Sequence, residues 1–502
     1  MRPLALFVAS IAAAVLPTAC VVASEPAPER SMTVPEAAGP PVRLMFLGDV
    51  MLGRGVATVA AGDPGSVFER LRPTLLGADL VLANLESPLT DRPHTAPGYA
   101  LEADPAVASL LASAGIDVVG LANNHATDAG PQTVLDTIAA TSQAGLRTVG
   151  AGADRAEAAE PLIVDVGALR IGIVAFDLAG GTTAGEASAG VNTWDTTLAK
   201  RTVTDLRARV DVVVVGLHGG VEYLPRPDPV LQRVTDELGS WGADVVWGHG
   251  AHVRYPVTVV DGGRAGVVAP GLGNALFDQT LPGTDSGAVL EVLVDQRGVV
   301  AMRIGGVAIV AGRTSFSGWD EPAGDAVALH DEWWTPVRAL TEQPSAGCTG
   351  LDRDLVVGRL PAGSITVASD CGQITGTGRT EMVVAYRRPT SAEVLQDAFP
   401  GRRWADAEGR SAHLAVMEPD GRMRWGAATL IDPIATVAVC SGSVAVGLST
   451  LDDPTVIEAS AWRWHGFGFR TAPVLTRPTS IGCADVDHDG TTEPLVRRTI
   501  ET

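Results

Sequence analysis

The chain has 502 residues, 46% of them hydrophobic and 19% charged, and a formal net charge of −21. A chain of this length predicts two or more domains, each with its own core. Its acidic balance argues against nucleic acid as a partner, because phosphates select basic surfaces, and it favours the approach of divalent cations.

The first 23 residues have the pattern of an export signal. Arg2 precedes the apolar stretch Leu4–Leu16, which is too short to span a membrane comfortably. Two processing routes stay open: cleavage before Cys20, which would leave a cysteine for lipid attachment, or ordinary cleavage after Ala23. We predict an exported protein, lipid-anchored at the cell surface through Cys20 or else secreted, that contacts the membrane only through its N-terminus.

Residues 24–41 are rich in proline and alanine and show no periodicity, which predicts a disordered linker. Across residues 42–311, apolar strands alternate with helical patterns, as is typical of crossover units and a largely parallel sheet. The predicted helices are Pro64–Leu76, Asp104–Ala114, Pro131–Ala144, Thr196–Arg209 and Pro229–Trp241. Later the pattern changes to strands alone and predicts a second, mixed sheet from Val257–Val260, Ala265–Val268, Ala288–Val294 and Val299–Val310.

Residues 312–346 carry three tryptophans with weak periodicity and are predicted to connect the first region to a β-rich region at 347–502. There, residues 371–381 align without gaps to residues 483–493, and an apolar strand follows each copy. Repeats of a loop plus a strand predict propeller blades or a related β array. The cysteines of this region predict either two disulfides, whose pairing stays open, or four buried thiols. They are Cys348, Cys371, Cys440 and Cys483.

The second copy of this repeat has the spacing of a calcium loop. Acidic side chains stand at positions 1, 3, 5 and 9 of the loop and glycine at position 6, and the loop resembles those of FG-GAP-type propeller repeats. An acidic turn without an ion is the alternative interpretation. The predicted calcium ligands are Asp485, Asp487, Asp489 and Glu493, whereas the first copy has Gln373, Thr375 and Thr377 at the matching places.

Polar residues follow several of the apolar runs within residues 42–311, where the predicted strands end. Open α/β sheets place their sites at this edge, and carboxylate, amide and imidazole groups are the donors that a divalent metal needs. An unpartnered imidazole after so apolar a run as Val212–Leu217 would be costly. We therefore predict one shared metal site formed by Asp49, Glu86, Asn124, His218, His249 and His252.

Six motifs occur here in a fixed order: Gly48-Asp49-Val50-Met51, Asn84-Leu85-Glu86, Ala122-Asn123-Asn124-His125, His218-Gly219-Gly220-Val221-Glu222-Tyr223, Gly248-His249-Gly250-Ala251-His252 and Leu272-Gly273-Asn274-Ala275-Leu276-Phe277-Asp278. As a set they resemble the poly-γ-glutamate capsule biosynthesis protein CapA family of the calcineurin-like metallophosphoesterase superfamily. The resemblance covers about residues 42–300. It implies a four-layer α/β/β/α sandwich with one or two divalent ions, of Mn, Fe, Zn or Mg, at the strand ends.

The resemblance also implies residue roles. His125 would contact the substrate oxyanion or protonate the leaving group. One ion would be held by Asp49, Glu86 and His252, and a second by Glu86 as bridge together with Asn124, His218 and His249. Supporting or substrate-contacting roles would go to Asn84, Asn123, Glu222 and Asn274.

One position departs from the phosphoesterase pattern, which has a histidine two residues after the first aspartate. Here that residue is Met51, a poor ligand for a hard cation, so a single tightly held ion is an alternative. Whether Glu86 or Asn84 would bridge two ions also stays open.

The sequence thus predicts an exported metal-dependent hydrolase that acts on a cell-envelope or capsule polymer, with that polymer and other capsule-synthesis membrane proteins as partners. The alternative is a non-catalytic, metal-stabilised scaffold for polymer synthesis or attachment, which Met51 favours because it weakens one site. A third hypothesis is a surface adhesin whose function lies in the β-rich region.

Overall fold

Val42–Val50, which forms strand β1, has both of its faces buried. Leu44 and Phe46 face one core, and Met45 and Leu47 face another, as the two-residue period of a strand requires. The strands that follow, in chain order, are β2 Leu80–Leu85, β3 Val118–Gly120, β4 Arg147–Val149, β5 Ala151–Gly152, β6 Leu162–Val166, β7 Leu169–Asp177, β8 Gly190–Val191, β9 Val212–His218, β10 Val245–His249, β11 Thr258–Asp261, β12 Ala265–Ala269, β13 Asn274–Leu276, β14 Ser286–Asp295 and β15 Gly298–Val310.

The computed structural model describes residues 40–498, apart from 96–98, 262–263, 323, 339, 344–346, 391–404, 428–429, 431 and 488. Cys20 and the predicted export signal lie outside the described residues. All described residues belong to one compact unit of the chain. None of the helices in this part of the chain is both long and apolar enough to cross a membrane.

Helices connect most of these strands: α1 Arg54–Gly62, α2 Arg72–Leu75, α3 Ala108–Ala114, α4 Gln132–Gln143, α5 Arg155–Ala158, α6 Thr196–Arg207 and α7 Pro229–Ser240. The predicted helix Pro64–Leu76 is wrong: a 3-10 turn at Pro64–Val67 ends before α2 begins. The reason is Pro73, which lacks an N–H and is tolerated only in the first turn of a helix. Helices α1 and α5 were not predicted.

Most of these strands form two sheets, whereas β5 and β8 pair only with each other. In the first, β4, β3, β2 and β1 run parallel, and β14 and β15 continue antiparallel from β1. In the second, the order is β6-β7-β9-β10-β12-β11, with β7, β9, β10 and β12 parallel. The predicted mixed α/β fold is confirmed. The late strands do not form a sheet of their own, because β14 pairs with β1 and extends its apolar face, while β11 and β12 join the second sheet.

Three hydrophobic clusters separate the layers. One lies between the two sheets and includes Phe46 of β1 and Trp247 of β10. The indole of Trp247 also donates a 2.7 Å hydrogen bond to the Leu47 carbonyl, which ties the sheets together close to their carboxyl edges. The outer clusters pack α1, α3 and α4 on the first sheet and α6 and α7 on the second. The layers therefore run helices, sheet, sheet, helices.

The C-terminal region consists mainly of antiparallel strands: β16 Arg313–Trp319, β17 Ala326–Leu329, β18 Glu332–Pro336, β19 Thr341–Gln343, β20 Ile365–Gly372, β21 Glu381–Pro389, β22 Arg410–Met417, β23 Met423–Gly426, β24 Ile434–Cys440, β25 Ser443–Leu448, β26 Glu458–Trp464, β27 Phe469–Thr471, β28 Leu475–Thr476, β29 Pro478–Asp485 and β30 Glu493–Arg498. One helix, α8 Arg353–Val357, lies among them and was not predicted.

Strands β20–β23 form one sheet and β24–β28 another. Strand β18 pairs with β15, β17 with β18, β30 with β17 and β29 with β30, so these strands extend the first sheet. The last strands of the chain are thus continuous with the N-terminal region. A propeller arrangement stays a prediction. Disulfides join Cys348 to Cys371 and Cys440 to Cys483, which settles the pairing, and the second one links β24 to β29.

Candidate metal centre

The carboxyl ends of strands from both sheets meet at one edge. Asp49 lies near the end of β1, Glu86 directly after β2, and His218 and His249 at the last residues of β9 and β10. His252 follows in the loop after β10. All five residues are buried, with at most 3% exposed. The predicted convergence of strand ends is therefore present in the structure.

The donors form two groups in which the potential ligand atoms lie within 4.8 Å of one another. The first group is Asp49, His218 and His249, and the second is Asp49, Glu86 and His252. Asp49 Oδ2 is 3.3 Å from His252 Nδ1, and His252 Nε2 is 3.6 Å from Glu86 Oε1. The resemblance implied Glu86 as the residue common to two ions, whereas the residue common to both groups here is Asp49.

Two observations show that these residues fit a cation. Glu86 Oε2 is buried and has no hydrogen-bond partner among the described residues. Burial and the adjacent Asp49 carboxylate raise the pKa of Glu86 well above its ordinary value. Two buried carboxylates side by side are costly unless a positive charge lies between them.

The histidines around Asp49 differ in their protonation. Burial lowers the pKa of His249 to about 4, and burial and the neighbouring His249 lower the pKa of His218 well below its ordinary value. For His252, burial lowers the pKa, but Glu86 and Asp49 outweigh it and raise the pKa to about 10. His218 and His249 are therefore neutral and ready to bind a cation, whereas His252 must release a proton first.

A chain of amides fixes the orientation of His218. The Leu85 carbonyl can only accept, so the Asn123 atom 2.9 Å from it is Nδ2, which also donates to Asn84 Oδ1 at 3.2 Å. Asn84 Nδ2 then faces Asp49 Oδ1 at 2.8 Å and His218 Nδ1 at 3.3 Å. An N–H aimed at His218 Nδ1 requires that this nitrogen be unprotonated, and an ion that binds Nδ1 would take its lone pair from the Asn84 N–H.

Asn124 contacts the opposite nitrogen of the same ring. Its Oδ1 lies 2.9 Å from His218 Nε2 and accepts the hydrogen that this nitrogen carries when Nδ1 is free. His218 Nδ1 lies 3.0 Å from His249 Nδ1, close enough for both to bind one ion. In this arrangement Asn124, predicted as a ligand, holds the His218 ring in place.

Gly250 lies between His249 and His252, at a position where only glycine fits. Its backbone φ is +98°, and a Cβ there would lie 2.9 Å from His218 Cε1 and Nε2. Its N–H donates to Asp49 Oδ1 and Oδ2 at 3.2 and 3.0 Å. Only glycine can bring the backbone this close to the shared carboxylate and the ring.

His125 lies at the edge of the site and is 19% exposed. Its Nδ1 is 2.9 Å from Asp128 Oδ2, and its Nε2 is 3.9 Å from Glu86 Oε1. Asp128 thus holds one nitrogen while the other faces the ligands. Asp128 was not predicted, although its position three residues after His125 is a usable signal.

The remaining predicted residues lie around these ligands. Asn274, at the start of β13, is buried and contacts His252, whereas Glu222 is exposed at the rim. Met51 is fully buried in the outer cluster on the first sheet and brings no donor to the site. Tyr223 and Gln279 contact each other beside Asn274, and neither was predicted as a site residue. Tyr223 ends one of the six motifs, which is a usable signal, whereas Gln279 lies just after the last motif.

The predicted calcium loop brings its carboxylates together. Ligand atoms of Asp485, Asp487 and Asp489 lie within 4.8 Å of one another, and Asp485 Oδ1 is buried without a hydrogen-bond partner among the described residues. Burial, and then the charges of the neighbouring aspartates, raise the pKa of Glu493 to about 8.

The glutamate at the end of the loop has different neighbours in the two copies of the repeat. Glu381 Oε2 accepts from Ile374 N at 3.2 Å, and Glu493 Oε2 accepts from the matching Val486 N at 3.1 Å. Glu381 also receives the Thr375 N–H at 2.7 Å and lies 3.7 Å from Arg424, whereas Glu493 faces aspartates. The second copy thus carries excess negative charge where the first has protein donors.

Residues 43–279 match the family model of the bacterial capsule synthesis protein PGA_cap. The chain is 29% identical over 260 residues to the PGA biosynthesis protein CapA of Bacillus subtilis, which covers 50% of this chain and 68% of that protein. It is also 29% identical over 282 residues to a probable polyglutamine synthesis accessory protein of Mycobacterium tuberculosis, covering 44% of this chain and 71% of that one.

Among solved structures, a novel phosphatase from Mycoplasma pneumoniae covers 53% of this chain and 94% of its own at 13% identity, with a TM-score of 0.35. That similarity is too distant to indicate a function. The motif order, the family match and the relatives agree with one another, and the predicted resemblance to CapA is confirmed. Through residues 43–279, this chain is similar to the bacterial capsule synthesis protein PGA_cap family.

Proposed function

We propose that this protein is an exported, metal-dependent hydrolase of the CapA type that acts in the metabolism of a capsule or cell-envelope polymer. The observation that carries the proposal is the pair of donor groups that share Asp49, with His125 beside them. The phosphoesterase-type sandwich implied by the resemblance agrees with the alternation of helices and sheets around this edge.

Asp49, His218 and His249 would hold one divalent ion, and Asp49, Glu86 and His252 a second. Mn, Fe, Zn or Mg bound there would supply Lewis acidity toward a phosphoryl or carbonyl oxygen. Asp128 keeps His125 oriented through Nδ1, so that Nε2 can donate a proton to the leaving oxygen or nitrogen.

The names of the relatives support the choice of polymer. The Bacillus relative is named for PGA biosynthesis and the mycobacterial one for polyglutamine synthesis. We infer that a polyglutamate-like polymer or its phosphorylated precursor is the substrate, with other capsule-synthesis membrane proteins as partners.

The test is a hydrolysis screen with metal-loaded protein on phosphomonoesters, phosphodiesters and γ-glutamyl oligomers. We expect His125→Gln to lower turnover by about 100-fold or more, in the range of a lost general acid, while the metal content stays the same. Asp128→Asn, which leaves the imidazole in place, should lower it less. Equal turnover in His125→Gln and the unsubstituted protein would refute the assigned role.

A non-catalytic scaffold is the second candidate. The specific observation in its favour is Met51, which is buried in the core where the phosphoesterase pattern has a ligand. The mycobacterial relative is also named as an accessory protein. Full metal occupancy without turnover on any substrate of the screen would favour the scaffold over the hydrolase.

We also propose that the loop formed by Asp485, Asp487, Asp489 and Glu493 binds calcium in a propeller-like C-terminal array. Calcium should raise the melting temperature of the protein, and Asp487→Ala should abolish this gain. The matched control is Thr375→Ala at the same position of the first copy, which should keep the gain. An equal calcium response in Asp487→Ala would remove the assignment.

Attachment to the cell surface through a lipid on Cys20 completes the proposal. Replacement Cys20→Ser should release the protein from the membrane fraction into the medium. Unchanged membrane fractionation would exclude the lipid anchor, and retention inside the cell would exclude export altogether.

A further inference from the structure

Tyr223 lies at the mouth of the metal centre. Its ring stacks on the His252 imidazole with centroids 5.8 Å apart and an interplanar angle of 26°, and the residue is 40% exposed. Its backbone φ is +63°, a left-handed conformation that tyrosine rarely adopts, and its N–H donates to the Ala251 carbonyl at 3.0 Å. Strain of this kind persists where the surroundings impose it, and it concentrates at functional sites.

A backbone carbonyl sets the direction of the hydrogen bonds behind this tyrosine. The Thr284 carbonyl can only accept, so the Asn274 atom 2.8 Å from it is Nδ2. The second hydrogen of Nδ2 points to Gln279 at 2.9 Å, so the Gln279 atom there is Oε1. Asn274 Oδ1 is left to accept from His252 Nδ1 at 3.0 Å, which leaves His252 Nε2 free to bind the ion.

The same argument orients the phenol. Because Gln279 Oε1 is occupied, its Nε2 is the atom that donates to Tyr223 Oη at 3.2 Å. The phenol oxygen thus accepts from Gln279, and its own hydrogen is directed away from Gln279. Burial and the neighbouring Glu222 carboxylate raise the pKa of the Tyr223 phenol, and Glu222 is an exposed side chain that a ligand can displace.

We propose that Tyr223 donates a hydrogen bond to an anionic oxygen of the substrate at the metal centre, and that Gln279 is the positioning residue that directs it. The oxygen belongs to a phosphoryl or a carboxylate group, the two kinds of anion that would take the place of Glu222. This proposal rests on the proposed function, since it names a substrate contact of the same site.

The experiment is calorimetric titration of the manganese-loaded protein with inorganic phosphate and, separately, with γ-glutamylglutamate. For the ligand that binds, Tyr223→Phe should raise the Kd about 10- to 100-fold, the loss expected for one hydrogen bond to a charged group. Metal content should not change. Tyr386→Phe, which removes the hydroxyl from a tyrosine that stacks on His413 in the C-terminal region, is the matched control and should bind as the unsubstituted protein does.

A double-mutant cycle tests the role of Gln279. In Gln279→Glu the side chain can only accept, so Tyr223 must donate to it and no longer to the ligand. Tyr223→Phe should therefore have almost no effect on Kd in the Gln279→Glu background. The added negative charge is present in both proteins of this comparison, so it does not alter the difference between them.

Three results would overturn the proposal. They are no binding of either ligand, a Kd in Tyr223→Phe within twofold of the unsubstituted protein, or an equal effect of Tyr223→Phe in both backgrounds. A protein that binds the ligand as expected but hydrolyses nothing would instead refute the hydrolase and leave the role of Tyr223 intact.

Discussion

Asp49 is the residue on which both donor groups depend, since each of its neighbours belongs to only one of them. We expect Asp49→Asn to lower the bound metal at both positions, whereas Glu86→Gln should lower it at one. Elemental analysis of dialysed protein measures this directly. Asp128→Asn is the control, because it makes the same change in a carboxylate that contacts only His125 in the site, and it should keep the full metal content.

Metal affinity should rise with pH between about 7 and 9. The pKa of His252 is raised to about 10 in the metal-free protein, so the imidazole is protonated at pH 7 and a bound ion must displace that proton. Each proton released makes binding about tenfold tighter per pH unit. Manganese titrations at several pH values would show this slope, and a flat profile would mean that His252 is not a ligand.

At the scale of the element, the strand pair β14–β15 contains a buried ion pair. Arg303 Nε lies 2.5 Å from Glu291 Oε2, and the guanidinium is 3.8 Å from the Trp319 ring centroid and 4.4 Å from that of Trp334. Arg303→Met would leave the Glu291 carboxylate without this partner. We expect a loss of about 3–5 kcal/mol in the free energy of unfolding.

Urea unfolding would measure this loss. The double variant Glu291→Gln/Arg303→Met removes both charges and should recover a large part of the stability. If the double variant were as unstable as the single one, packing against the tryptophans rather than charge compensation would be the role of Arg303.

At the scale of the whole molecule, the first sheet crosses the predicted boundary near residue 346. Strand β17 pairs with both β18 and β30, and Leu293, Val300 and Trp334 share one core with Ala484 and Leu495. A chain ending at residue 346 would lose β30 and expose this core. We therefore expect it to melt at a lower temperature and to aggregate, which scanning calorimetry and gel filtration would detect.

The sequence predicted elements well where local chemistry decides them. Asp104 caps the 3-10 turn Pro105–Val107 ahead of α3, and Asp228 caps α7. Both accept backbone N–H bonds, as their positions before a proline indicated. The prediction of one continuous helix across Pro73 was wrong, because one proline outweighs the helical pattern around it. The sequence also could not predict which strands pair with β14, since apolar alternation does not specify the neighbouring strand.

For the site, the sequence by itself determined which donors stand at strand ends, because strand length and burial are local properties of the chain. Only the tertiary structure decided that Asp49 is the common residue and that Tyr223 and Gln279 lie beside His252. These relations depend on how two sheets and several loops pack together, and no spacing along the chain encodes the distance between side chains on different strands and loops.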